Sequence, residues 1–190
     1  MMLNYEGIKK MENGLIKRTT LFIVTLAAFL TPFDVSSVNI ALPSIGREFS
    51  MDAIALGLVA TVYPLASAIF LVPFGRIADI YGRKKIFIIG ILAFTVASFS
   101  MVLCRSATML ICFRVFQGIG SAMIFGTGVA LLTSIFPPQE RGKALGISVA
   151  ATYLGLSLGP FLGGFLTLHF GWRSIFLVNI PIGLAIVNLF

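Results

Sequence analysis

Acidic residues are scarce in this chain. Seven aspartates and glutamates stand against 14 lysines and arginines in 190 residues, and charged side chains make up only 11%. A soluble domain of this length would need far more charge to stay dissolved. Histidine occurs once, at His169, which leaves too few ligands for a zinc site. The two cysteines, Cys104 and Cys112, lie in or near apolar runs without C-x-x-C spacing. They read as small core residues and not as a disulfide or metal pair. There is no Walker A lysine motif and no complete G-x-G-x-x-G, so no ATP or dinucleotide site is expected. The net charge of +7 would suit nucleic acid if the bases shared a soluble face, but they sit between apolar runs. Nucleic acid is therefore not an expected partner.

What the chain has in abundance is apolar sequence: 58% of residues are hydrophobic, and the mean hydropathy is +1.02. The apolar residues fall in runs near 20, the length that crosses about 30 Å of hydrocarbon as a helix. The fold class expected is an all-α integral membrane protein with the lipid bilayer as its first partner. A tail, residues 1–19, precedes six predicted spans at roughly 20–42, 53–74, 86–104, 108–134, 144–168 and 174–190. Short connections make neighbouring helices antiparallel. The first span is too long for a secretory signal, contains Asp34 and lacks an A-x-A site, so it is expected to stay as a helix.

Bases set the orientation. Ten lie in the tail, in residues 75–85 and in residues 135–143; the other side has only Arg47, Arg105 and Arg173. This asymmetry predicts a cytoplasmic N-terminus in a multi-pass protein of the cell membrane, with Trp172 as an aromatic anchor at the outer interface. The apolar run that reaches Phe190 has no basic flank after it, which suggests one part of a longer protein.

Asp34 is the one carboxylate placed inside hydrocarbon and Arg114 the one base. Holding a charge there costs roughly 2.5–3.5 kcal/mol, so such groups point to function. At about 1.5 Å per residue they lie about 12 and 9 Å below the outer face, close enough in depth to meet. A carboxylate whose burial and neighbouring guanidinium change with conformation would take up and release a proton. The plainer alternative is a static pair that fixes packing. Pro32 lies two residues before Asp34 and allows a kink, and Asn39 adds a polar group further along. Small residues recur every four positions in the fourth span (Gly118, Ala122, Gly126, Ala130, Ser134) and the fifth (Ala151, Gly155, Gly159, Gly163). Such ridges permit close backbone approach, and with Pro160 they suggest a bent, moving helix at a cavity. Gly155-Leu-Ser157-Leu-Gly159 matches G-x-S-x-G, but it lies in an apolar helix with no acid near, so a serine hydrolase is not expected.

These segments resemble the major facilitator superfamily. Gly75 to Lys85 resembles its signature between helices 2 and 3, matching at Gly75, Ala78, Asp79, Gly82, Arg83 and Lys84. Arg114, Gln117, Gly118, Gly120 and Ala122 resemble its helix 4 motif. Gly155, Gly159, Pro160, Gly163 and Gly164 resemble the helix 5 motif of antiporters. Phe33 to Pro43 is similar to the helix 1 motif of drug:proton antiporters, departing at Val35, Ser36 and Ser37. Trp172 to Gly183 is similar to the helix 6 opening of the fourteen-helix EmrB/QacA-type branch. The resemblance implies a six-helix N-terminal bundle, proton-coupled export of drugs or other small molecules, and no cofactor beyond a proton gradient. It implies a cytoplasmic gate at Gly75, Asp79, Gly82, Arg83 and Lys84, and proton coupling near Asp34, Arg114, Asn39 and Gln117. A C-terminal half would then be the missing partner. A half-size bundle needing a second half, and a metabolite uptake carrier of the same fold, are the alternatives.

Overall fold

The computed structural model describes the backbone from residue 2 and the side chains from residue 14. Six helices follow one another: α1 (Met2–Phe49), α2 (Ala53–Tyr81), α3 (Arg83–Val102), α4 (Ala107–Ile135), α5 (Pro138–Phe170) and α6 (Arg173–Leu189). No strand occurs among the described residues. The first five are long and apolar enough to cross a membrane. The sixth has 17 residues, about 25 Å at the usual rise, near the lower limit for a span. The fold is that of an all-helical integral membrane bundle. Of the predicted tail, the side chains of residues 1–13 lie outside the described residues. From Gly14 onward the chain is already inside α1.

The helices are longer than the apolar runs predict, and the connections shrink to residues 50–52, 82, 103–106, 136–137 and 171–172. Local chemistry explains each end. α1 passes through Pro43 and stops at Ser50, which takes a positive φ of 49° and lets the Met51 N–H donate to the Gly46 carbonyl at 3.0 Å. Proline costs a helix one hydrogen bond and a local clash, which a kink relieves. Asp52 caps α2 by accepting from the Ala55 N–H at 2.8 Å, and Ser106 caps α4 by accepting from Met109 at 3.3 Å. Pro138 opens α5 at a position where its missing N–H costs nothing, so that helix starts six residues before the apolar run predicts. The expected hinge at 75–85 is almost wholly helical. Gly82 alone breaks it, with a φ of 99° that L side chains avoid.

α1 packs chiefly on α5, and α4 on both α2 and α3; α3 and α1 also meet α6. Two apolar clusters form the core. One gathers Ile23, Leu30, Phe87, Phe94, Leu132 and Ile186 near the Gly82 end. The other gathers Ile45, Val59, Met101, Leu110, Trp172 and Phe176 near the opposite end. Trp172 is thus buried against Phe49 and Phe176 and does not serve as the exposed interfacial anchor the sequence suggests. Its indole N–H donates to Glu48 at 2.7 Å, and Arg173 pairs with the same carboxylate at 2.7 Å.

Candidate functional site: a buried charge cluster beside a cavity

Between the two apolar clusters lies a polar layer. Asp34 of α1 and Arg114 of α4 form a salt bridge at 2.5 Å, with both side chains fully buried. The two meet directly, without an intervening group. Gln117, one turn along α4 on nearly the same face, accepts from Arg114 at 2.7 Å and donates to Asp34 Oδ1 at 3.1 Å. Two residues that the sequence reading left out complete the layer. Asn179 of α6 donates to Asp34 Oδ1 at 2.6 Å, and Ser98 of α3 accepts from Gln117 at 3.0 Å. The Arg114 Nε reaches the Val59 carbonyl of α2 at 3.4 Å. Five helices therefore share one hydrogen-bonded network, with α4 and α6 donating to the carboxylate of α1 directly. The Asp34 carboxylate accepts from three donors, the arrangement by which buried polar groups are satisfied.

Asn39 does not belong to this layer. It is exposed, because five residues along a helix turn a side chain about 140° from Asp34. The amide that contacts Asp34 is instead that of Asn179. The signal was present in the sequence, as an asparagine in an otherwise apolar span, but nothing local shows which neighbour that face of α6 meets.

Tyr63 of α2 joins the layer to a cavity. Its ring lies over the Arg114 guanidinium at 4.5 Å, a favourable cation–π arrangement. The same residue lines a cavity of about 530 Å³ with Thr31, Pro32, Pro64, Phe125 and Leu156, within the usual size range of small-molecule sites.

α5 lies at the cavity through Leu156, and its motif glycines lie on another face of the helix. Gly155, Gly159 and Gly163 face α1 and not the cavity. A Cβ at Gly155 would collide with the Phe29 carbonyl, and one at Gly159 or Gly163 would come within 2.6 Å of Ser36 or Ser37. Those serines in turn donate to the carbonyls of Leu156 at 2.9 Å and Gly159 at 3.0 Å. The seam is thus a close backbone contact with its own hydrogen bonds. Gly164 meets only Ile40, at 3.6 Å, and Pro160 is exposed within α5.

At the Gly82 end, Arg83 donates twice to Asp79 Oδ1, at 3.0 and 2.9 Å, and once to the Ala130 carbonyl of α4 at 3.2 Å. Lys84 donates to the Phe190 carbonyl at 2.7 Å. Lys17 pairs with Glu140 at 2.9 Å, so the start of the described chain, the α2–α3 break and the α4–α5 connection share one end of the bundle. Gly75 sits inside α2 opposite Gly126 of α4. No cluster of three or more histidines, cysteines or carboxylates occurs among the described residues.

Comparison with known proteins agrees with this architecture. Residues 24–190 match the Major Facilitator Superfamily. The riboflavin transporter RibZ of Clostridioides difficile (strain 630) is 35% identical over 173 residues, covering 91% of this chain and 38% of that protein. The multidrug resistance protein Stp of Mycobacterium tuberculosis (strain CDC 1551 / Oshkosh) is 38% identical over 171 residues, covering 90% and 32%. The cephamycin export protein CmcT of Amycolatopsis lactamdurans is 38% identical over 172 residues, covering 90% and 35%. The chain spans about a third of the length of these curated relatives. A multi-pass bundle of apolar helices, matched to that superfamily over nearly its whole length, makes this chain a member of the Major Facilitator Superfamily.

Proposed function

We propose that this chain is the N-terminal six-helix half of a proton-coupled exporter of drugs or other small molecules, of the fourteen-helix branch. The observation that carries the proposal is Asp34: a fully buried carboxylate held by three donors, one residue away from a cavity of ligand size. Protonating Asp34 removes the counter-charge of a buried guanidinium, which is costly unless Arg114 finds new partners. Its Nη2 already lacks one. The two protonation states therefore favour different packing, and this is what couples a proton gradient to a conformational change.

In this reading Arg114 and Gln117 hold the proton site with Asp34. Gly75, Asp79, Gly82, Arg83 and Lys84 form the cytoplasmic side of a gate that closes against a second half. The N-terminus is cytoplasmic, the membrane is the cell membrane, and the substrate enters between two six-helix halves. No cofactor takes part; the energy comes from the proton gradient. The names of the export and resistance relatives favour export.

Everted membrane vesicles carrying the complete protein test this. An imposed inward-acidic gradient should drive substrate into the vesicles, and Asp34→Asn should abolish that movement while leaving membrane insertion intact. Unchanged movement in the variant would remove Asp34 from the mechanism. A second reading, a carrier that takes up a metabolite, is favoured by the relative named as a riboflavin transporter. Movement out of the same vesicles would select it.

A further inference from the structure

We infer that the side-chain carbonyl of Asn179 is the alternate acceptor for the Arg114 guanidinium, taken up when Asp34 carries a proton. The inference rests on the reading above that Asp34 binds and releases the coupling proton. Both residues are fully buried, and both bond to the same carboxylate. Arg114 Nη1 donates to Asp34 Oδ2, and Asn179 Nδ2 donates to Oδ1 at 2.6 Å. Each is left with one unmet atom: Arg114 Nη2 has no acceptor and Asn179 Oδ1 has no donor. The other buried side-chain atoms without partners, among the described residues, are hydroxyl oxygens of Thr25, Tyr63, Ser121 and Thr167, which turn freely to find one. The guanidinium and the amide have no such freedom, because their remaining atoms are already held. An unmet buried donor and an unmet buried acceptor in one polar layer are costly apart and complementary together.

The two charge states of Asp34 give this mismatch a use. A charged carboxylate takes only donors, so the Asn179 amide turns its NH2 to Asp34 and its carbonyl away. Arg114 then bonds Asp34 and Gln117 through Nη1 and the Val59 carbonyl through Nε. When a proton adds to Asp34, the carboxyl becomes neutral, the guanidinium stays charged, and the layer gains one positive charge. Gln117 Oε1 and the Val59 carbonyl are already in use, so Asn179 Oδ1 is the acceptor left for the guanidinium. The other titratable group on the layer is Tyr63 of α2, whose ring lies on Arg114, while α3 presents Ser98 and α5 turns Gly155 and Gly159 to α1. Among the described residues no further charged side chain bonds to Asp34 or Arg114. The exchange moves one bond of α4 from α1 to α6. Because α1 packs chiefly on α5, this loosens the α1–α5 pair from α4, which stays packed on α2 and α3.

Swapping the acid and the amide tests this in the complete protein. Asp34→Asn with Asn179→Asp moves the carboxylate from α1 to α6 and keeps the composition of the layer. If Arg114 reaches residue 179, the guanidinium is paired again, and the swap should unfold at least about 5 °C above Asp34→Asn alone in lipid nanodiscs. Adding Arg114→Met should abolish that gain. If the swap cannot be purified, the Asp34→Asn background decides. There Asn179→Leu should lower the unfolding temperature by about 5 °C with Arg114 present and by less than about 2 °C with Arg114→Met. In vesicles, Asn179→Leu alone should lower the maximal transport rate at least about tenfold and leave KM within about twofold. A swap that unfolds at or below Asp34→Asn, a gain that survives Arg114→Met, equal effects of Asn179→Leu with and without Arg114, or a normal transport rate in Asn179→Leu would each overturn the switch. Proton-driven movement that persists in Asp34→Asn would instead sink the coupling reading, while a rescued swap would leave Asn179 standing as the second acceptor.

Discussion

Asp34–Arg114 and Asp79–Arg83 are the same two residue types in opposite settings. The first pair joins different helices, is wholly shielded from solvent, and shares its atoms with Gln117 and Asn179. The second joins successive turns across the Gly82 break, with the arginine side chain 39% and the aspartate 61% exposed. Coulomb attraction is weakly screened in the first and strongly screened in the second. Burial thus turns one pair into a commitment: neither partner can change charge without disturbing five helices. The exposed pair remains open to exchange of partners, as the proposed gate requires. A third pair, Glu48–Arg173, lies between these extremes, half-exposed but tied to Trp172.

The largest expected break in this comparison is functional. Asp34→Asn should reduce proton-driven transport by the complete protein at least about a hundredfold, whereas Asp79→Asn should slow turnover and leave substrate affinity within about twofold. Vesicle transport rates at several substrate concentrations would tell the two apart. A binding defect with normal turnover in Asp79→Asn would contradict the gate assignment. Stability should separate the pairs next. Arg114→Met strands a buried carboxylate and should cost about 3–5 kcal/mol. The double variant Asp34→Asn, Arg114→Met should recover most of that loss in thermal unfolding, yet stay inactive in transport. A double variant as unstable as the single one would show that the charges are not what couples the two positions.

Asn179→Leu should have an intermediate effect. It removes one donor from a buried anion, a loss of about 1.5–3 kcal/mol for a hydrogen bond to a charged group. Asn39→Leu should be nearly silent in the same unfolding assay, because that side chain is exposed. Equal effects would mean that the layer does not depend on α6. The smallest change is expected for the exposed or half-exposed pairs: Glu48→Gln and Asp79→Asn should each cost about 1 kcal/mol or less in unfolding.

The contrast between the two asparagines also shows how far the sequence is legible. The six helices follow from apolar runs near the bilayer thickness, and the depths of Asp34 and Arg114 follow from helical rise alone. Gln117 could be placed because it lies three residues from Arg114 on nearly the same face. Helical angles alone would also have separated Asn39 from Asp34. Asn179, Ser98 and Tyr63 could not be placed this way. Each is a single polar residue in an apolar helix, and its role depends on which helix its face meets. The helix 5 glycines are legible in part for a related reason. Small residues at four-residue spacing announce a close approach but do not name the partner, and here the partner is α1 and not the cavity. Apolar runs stop short of the helix ends wherever a polar turn continues the helix beyond them, as at Pro138 and Phe49.

The packing pattern carries one more consequence. Exchange α1 with α4, α2 with α5 and α3 with α6, and contacting helix pairs map onto contacting pairs: α1–α5 onto α4–α2, α3–α4 onto α6–α1, α2–α3 onto α5–α6, α1–α2 onto α4–α5, with α3–α6 and α1–α4 mapping onto themselves. That contact pattern is the one expected of a three-helix unit used twice in opposite orientation. Under that exchange the helix bearing Asp34 becomes the helix bearing Arg114. The acid and the base thus stand on helices that exchange under this mapping, and the salt bridge joins the two three-helix sets.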